Sequence, residues 1–101
     1  MNTTTIVRLT AAAIALLAGG CAVQALPTAE IASSEAAISA ALKAGAAESA
    51  PHEMALARDK LELTRRWIEA RDYKPARWLA EQAQVDAELA SMKAMGARGR
   101  P

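Results

Sequence analysis

Residues 75–94 read PARWLAEQAQVDAELASMKA. Alanine recurs at positions 76, 80, 83, 87, 90 and 94, at intervals of four, three, four, three and four. Those intervals return to one side of a helix with 3.6 residues per turn, so six methyl groups line up. A seam of small side chains lets two helix backbones approach closely. Leu79 lies beside the seam, and Trp78, Val85, Leu89 and Met92 add a flanking apolar edge. Pro75 suits a first helical position, because its missing N–H would be unpaired there in any case. The pattern predicts a helix that starts at Pro75 and fades around Met95 and Gly96. Lys74 is then the non-helical residue before it. Tyr73 and Trp78 fall where the two members of a hydrophobic staple would pack.

The same logic places a helix upstream. Pro51 opens it and pushes Ala50 out of the α region. Met54, Ala57, Leu61, Thr64 and Ile68 form a three-four stripe, widened by Leu56, Leu63 and Trp67 as for a helix with two neighbours. It ends near Ala70–Asp72. The short turn before Pro75 makes the two helices antiparallel neighbours. A first helix spans Thr28 to Ala44, with Thr28 able to cap it. It carries Ile31, Ile38, Ala41 and Leu42 on one face, and Gly45 to Ala50 is the break, although Ala46 and Ala47 could continue the helix. The expected fold is all-α: a small antiparallel three-helix bundle, built as a helical hairpin plus one N-terminal helix, following a cleaved signal peptide. Residues 1–20 are read as that lipoprotein signal peptide, 21–27 as anchor and linker, 28–95 as the helical domain and 96–101 as a flexible tail.

Alanine is the commonest residue, phenylalanine is absent, and Trp67, Tyr73 and Trp78 are the only aromatics. Alanine favours helix strongly but fills little volume, so the core should be thin. A body of this size buries little apolar area on its own. That leads us to expect either self-association through the alanine seam or folding completed by a partner.

The N-terminus reads as an address. Met1 to Arg8 is polar with one basic residue, and Leu9 to Ala18 is apolar except for Thr10. A run of that length is well short of the ~20 residues needed to span a bilayer. LLAGGCAVQA, residues 16–25, then holds the only cysteine. A single cysteine in an exported chain cannot belong to an internal disulfide framework. Ala18-Gly19-Gly20-Cys21 resembles the lipobox of bacterial lipoproteins, with Ala18 where Leu is usual. The resemblance implies a diacylglyceryl group on the Cys21 sulfur, cleavage before Cys21 and acylation of the new N-terminus. Each buried methylene contributes ~0.8 kcal/mol, so several acyl chains anchor stably. Ala22, not Asp, follows the cysteine, and by resemblance this implies the outer membrane. The alternative is ordinary signal-peptidase cleavage after Val23-Gln24-Ala25, which would discard Cys21 and release a soluble periplasmic binding module or chaperone-like helper.

Further resemblance lies in the body. Ala50-Pro51-His52-Glu53-Met54-Ala55, Glu69-Ala70-Arg71-Asp72-Tyr73 and Ala76 to Ala83 resemble the bacterial domain of unknown function 4398 over about residues 29–94. Its members are short, alanine-rich and mostly exported lipoproteins, often with Gly where Arg71 stands. The resemblance implies no activity.

The charge balance is 12 Lys+Arg against 11 Asp+Glu. Without Arg8 the chain from Cys21 onward is neutral, which excludes a nucleic-acid binder driven by basic excess. His52 has no second His and no Cys at ligand spacing, so no metal site is expected, and no cofactor beyond the lipid on Cys21. The serines lack a partner base, and no enzyme is expected. One cluster is distinctive: RRWIEARDYKPARW, residues 65–78, gathers all three aromatics with Arg65, Arg66, Arg71, Lys74 and Arg77 against Glu69 and Asp72. Aromatic residues with arginine are typical of interface hot spots. Arg65, Arg66, Trp67, Arg71, Tyr73, Lys74, Arg77 and Trp78 are therefore the candidate interaction tip. Intrahelical pairing of Glu62 and Glu69 with Arg65 and Arg66 would instead make it an ordinary helix surface. Expected partners are membrane lipid through Cys21, an envelope protein or anionic envelope polymer, and a second copy of the chain.

Overall fold

The structure, a computed structural model, describes residues 25–99. Those residues form four helices and no strand: α1 Thr28–Lys43, α2 Ala46–Ser49, α3 Pro51–Glu69 and α4 Tyr73–Arg98. The described residues adopt the expected all-α class.

The punctuation differs from expectation at several ends. Pro27, not Thr28, holds the N-cap position of α1, and its carbonyl accepts from the Ile31 amide at 3.1 Å. Pro27 is fully buried, so packing fixes this end in place of a side-chain cap. Gly45 closes α1 at φ 87°, a left-handed conformation open to glycine at little cost. Its amide donates to the Leu42 carbonyl while its own carbonyl accepts from Glu48 and Ser49. One glycine thus ends α1 and starts α2, and the expected break holds a single helical turn. Ala50, at φ −141°, stands between α2 and Pro51, outside the α region as the proline requires.

The α4 helix begins at Tyr73, two residues before Pro75, with Asp72 as the residue preceding it. A proline in the first turn has no intrahelical partner to lose, so it tolerates the third position as well as the first. The staple expected of Tyr73 and Trp78 does not arise, because Tyr73 is itself helical and Trp78 is 59% exposed. The far end also runs on. Residues 96–98, expected in a tail, continue α4 to Arg98.

The alanine ladder is the centre of the molecule. All six of its residues are wholly buried. On α3, Met54, Ala57, Leu61 and Thr64 are buried and Ile68 is half-buried, as the stripe required. Leu63 and Trp67, expected to widen that stripe, are each 40% exposed. Pro27 apart, Met54 and Leu61 are the only buried apolar side chains larger than a methyl group among the described residues. Ser34 and Thr64 occupy core positions by donating their hydroxyls to the carbonyls of Ile31 and Lys60, each at 2.8 Å. This satisfies the only polar group each would otherwise bury unpaired.

Ion pairs report the directions of the helices. Glu53 of α3 meets Lys93 of α4, and Lys60 meets Asp86 at 2.6 Å, so α3 and α4 run in opposite directions. Glu30 at the start of α1 meets Arg77 at 3.2 Å, and the Lys43 carbonyl at its end accepts from Arg98. Hence α1 runs along α4 in the same direction. Within one chain the ladder is already covered by these neighbours. All six of its methyl groups are covered inside the one chain.

Candidate functional site

The turn between α3 and α4 sets the shape of the tip. Its backbone makes a Schellman closure: the Asp72 amide donates to the Trp67 carbonyl and the Arg71 amide to the Ile68 carbonyl, both at 2.9 Å. That closure needs a left-handed residue, and Arg71 supplies it at φ 59°. Arg71 sits where glycine would adopt the turn without a Cβ penalty.

Around this turn the eight expected tip residues separate into two groups. Arg77 is committed inward. Its Nη2 donates to the Ala25 carbonyl at 2.8 Å while its Nε lies 3.2 Å from Glu30. Arg65 reaches across to Glu35 on α1 at 3.3 Å and along its own helix to Glu62 at 3.6 Å. Tyr73 is half-buried. These three serve the bundle. The remaining five face solvent: Arg66, Arg71 and Lys74 have no carboxylate among the described residues within 4.0 Å, and Trp67 and Trp78 are exposed. The expected pairing of Arg66 with Glu62 or Glu69 is not made. Acids from α1 take part of the expected positive charge, because Glu30 and Glu35 were not counted in residues 65–78. Among unpaired groups the tip keeps Arg66, Arg71 and Lys74 against Glu69 and Asp72.

Cys21 lies outside the described residues. The first described residue, Ala25, is held to the tip end of α4 by Arg77, and Leu26 beside it is 48% exposed. The N-terminal segment therefore enters the body at the same end as the tip. Sequence reasoning missed this clamp. Its signal was the arginine one turn into α4, but nothing in the spacing pointed to a backbone carbonyl 52 residues away.

Elsewhere the chemistry is sparse. His52 is exposed in the first turn of α3. Its neighbour Glu53, which could not form a capping box with Ala50, is buried and hydrogen-bonded to Lys93. That bond, helped by its own backbone amide, holds the Glu53 carboxyl below the usual glutamate value of about 4.5. An open groove of about 550 Å³ runs between α1 and α4, walled by Ser33, Ala40, Glu88, Ser91, Met92 and Met95. Gln84 there donates to Glu88 at 2.9 Å. The groove brings serines near a glutamate but no histidine. Among the described residues no three His, Cys, Asp or Glu side chains gather to hold a metal ion, and no helix is long and apolar enough to cross a membrane.

The family model described as domain of unknown function (DUF4398) matches residues 29–100. The match begins where the resemblance in the sequence begins and extends it through the end of α4. No curated protein and no solved structure matches the chain.

Proposed function

The chain belongs to the DUF4398 family, and we propose that it is a membrane-anchored, periplasm-facing lipoprotein of the outer membrane, with a structural or protein-interaction role in the cell envelope. In this reading residues 1–20 are removed as a lipoprotein signal peptide and Cys21 carries the lipid. The three long helices then stand as an up-down-up bundle on a tether of residues 21–24.

The observation that carries the reading is the hydrogen bond from Arg77 to the Ala25 carbonyl. Cleavage after Ala25 would remove that acceptor and put a new α-ammonium at Leu26, beside the guanidinium. Cleavage before Cys21 leaves the contact intact and four residues between the lipid and the first fixed carbonyl. The interaction role is supported by the outward side of α4. Val85 and Leu89 each lie two residues from Ala87, so they project far round the helix from the ladder. Together with Trp78 and Met92 they leave an exposed apolar edge.

Intact mass spectrometry of the mature protein tests the proposal. An acylated N-terminal Cys21 is the expected result, and redistribution of Cys21→Ala from the membrane to the soluble fraction should accompany it. An unmodified chain starting at Leu26 would establish the alternative, a soluble periplasmic helper.

A further inference from the structure

Resting on the anchored reading, we infer that the α3–α4 tip is the membrane-facing end of the molecule, seated on the anionic headgroup surface of the bilayer that holds Cys21. Three independent observations converge on this end. The first is the entry of the chain. The Ala25 carbonyl is fixed to Arg77, and Cys21 lies four residues upstream. An extended chain covers at most ~3.6 Å per residue, so the tether reaches about 14 Å. From Arg77 to Arg98 the α4 axis runs roughly 32 Å at 1.5 Å per residue. The tether is therefore too short to lift the tip far from the bilayer, and the far end at Gly45 and Arg98 is the one held away.

The second observation is the placement of aromatic residues. Every Trp and Tyr of the chain lies within residues 67–78, and Trp67 and Trp78 are 40% and 59% exposed. Neither indole belongs to the buried core. Trp and Tyr favour the membrane–water interface, where one part of the ring is apolar and the other can hydrogen-bond. Leu26, also exposed, follows the Ala25 that Arg77 holds at this end.

The third is charge. Among the described residues, Arg66, Arg71 and Lys74 are the tip cations with no carboxylate within 4.0 Å, after Arg65 and Arg77 are taken by the glutamates of α1 and α3. Their stems are long enough to reach phosphate while the indoles enter the headgroup layer. Glu69 and Asp72 share the tip, so the excess is small. The aromatics should supply most of the contact, and the cations a modest preference for anionic lipid.

The test uses the full mature chain, reconstituted into phosphatidylethanolamine–phosphatidylglycerol vesicles whose lipids carry bromine high or low on the acyl chains. Bromine quenches tryptophan only at contact range. Trp67→Phe and Trp78→Phe give single-tryptophan proteins that assign the signal. The expected result is protein that floats with the vesicles, with both indoles blue-shifted and quenched more by the shallow bromines. Floating protein with water-like, unquenched tryptophans overturns the inference while leaving the anchor standing, and frees the tip for a protein partner. Cys21→Ala protein lacking residues 1–20 that still floats with quenched indoles supports the tip contact and shows that it holds without the lipid, while the acylated mass of the parent tests the anchor separately. Parent protein that does not float overturns both.

Discussion

Arg71→Gly should make the protein more stable. Arg71 holds the left-handed position of the α3–α4 closure at φ 59°. An L-residue there costs about 1–2 kcal/mol relative to the right-handed well, because Cβ crowds the following carbonyl. Glycine removes that cost but gives up about 0.5–1 kcal/mol in greater freedom of the unfolded chain. Near the middle of both ranges the remainder favours glycine by about 0.5–1 kcal/mol. In a domain of 60–100 residues each kcal/mol moves Tm by about 4–8 °C, so an increase of about 2–8 °C is expected. Thermal melts followed by far-UV circular dichroism would measure it. Arg71→Ala is the control: it discards the charge and keeps the Cβ, and should give no increase. An unchanged or lower Tm for the glycine variant would refute the reasoning. So would an equal rise for the alanine variant, since the gain would then come from charge and not from backbone.

The remaining expectations concern the seam, a buried carboxylate and the N-terminal clamp. Ala87→Leu forces extra methyl groups into a wholly buried position and should cost about 1–3 kcal/mol. Ala55→Leu, on the exposed side of α3, should shift the same melt little, since the two residues have similar helix propensity. Glu53 has its carboxyl pKa lowered on folding, chiefly by the bond from Lys93. Its contribution to stability is therefore complete above about 4.5, the ordinary value, and is lost as pH falls through the lower folded value. In urea titrations at stepped pH, Glu53→Gln should be less stable near neutrality and show a shallower acid limb than the parent. Arg77→Met should release the segment ahead of α1, seen as faster amide exchange of Thr28 and Ile31, with a stability loss of about 1 kcal/mol from the partly exposed charge-assisted bonds.

The body of the fold was legible where one residue type repeats at helical spacing. The ladder and the α3 stripe needed only a period and two prolines. Ser34 was not legible as a core residue, although it lies on the face of Ile31, Ile38 and Ala41, because hydroxyls ordinarily count against burial. Only the geometry of its bond to the Ile31 carbonyl removes the objection. Leu63 and Trp67 failed in the opposite sense. They are large and apolar, but each is 40% exposed, and the covered face of α3 is the narrower stripe of Met54, Ala57, Leu61 and Thr64. At the tip, the choice of residues was readable and their employment was not. Arg65 and Arg77 are taken by glutamates more than 25 residues away in sequence, and pairing across helices is invisible to any local rule. The start of α4 at Tyr73 shows that a proline marks the first turn more reliably than the first residue.

A core made of methyl groups has a weakness that its two Lys–carboxylate rungs correct. Shifted by seven residues, the ladder falls back on itself: 76 onto 83, 83 onto 90, 80 onto 87 and 87 onto 94. With so few large side chains to interlock, α4 sliding along α3 by two turns would meet almost the same surface. The rungs are also seven residues apart on each helix, yet their polarity is reversed, with Glu53 facing Lys93 and Lys60 facing Asp86. Sliding one way would bring Glu53 opposite Asp86, and sliding the other way Lys60 opposite Lys93. Either displacement sets like charges face to face. The alanines say how near the two helices lie, and the alternating charges say where along each other they stop.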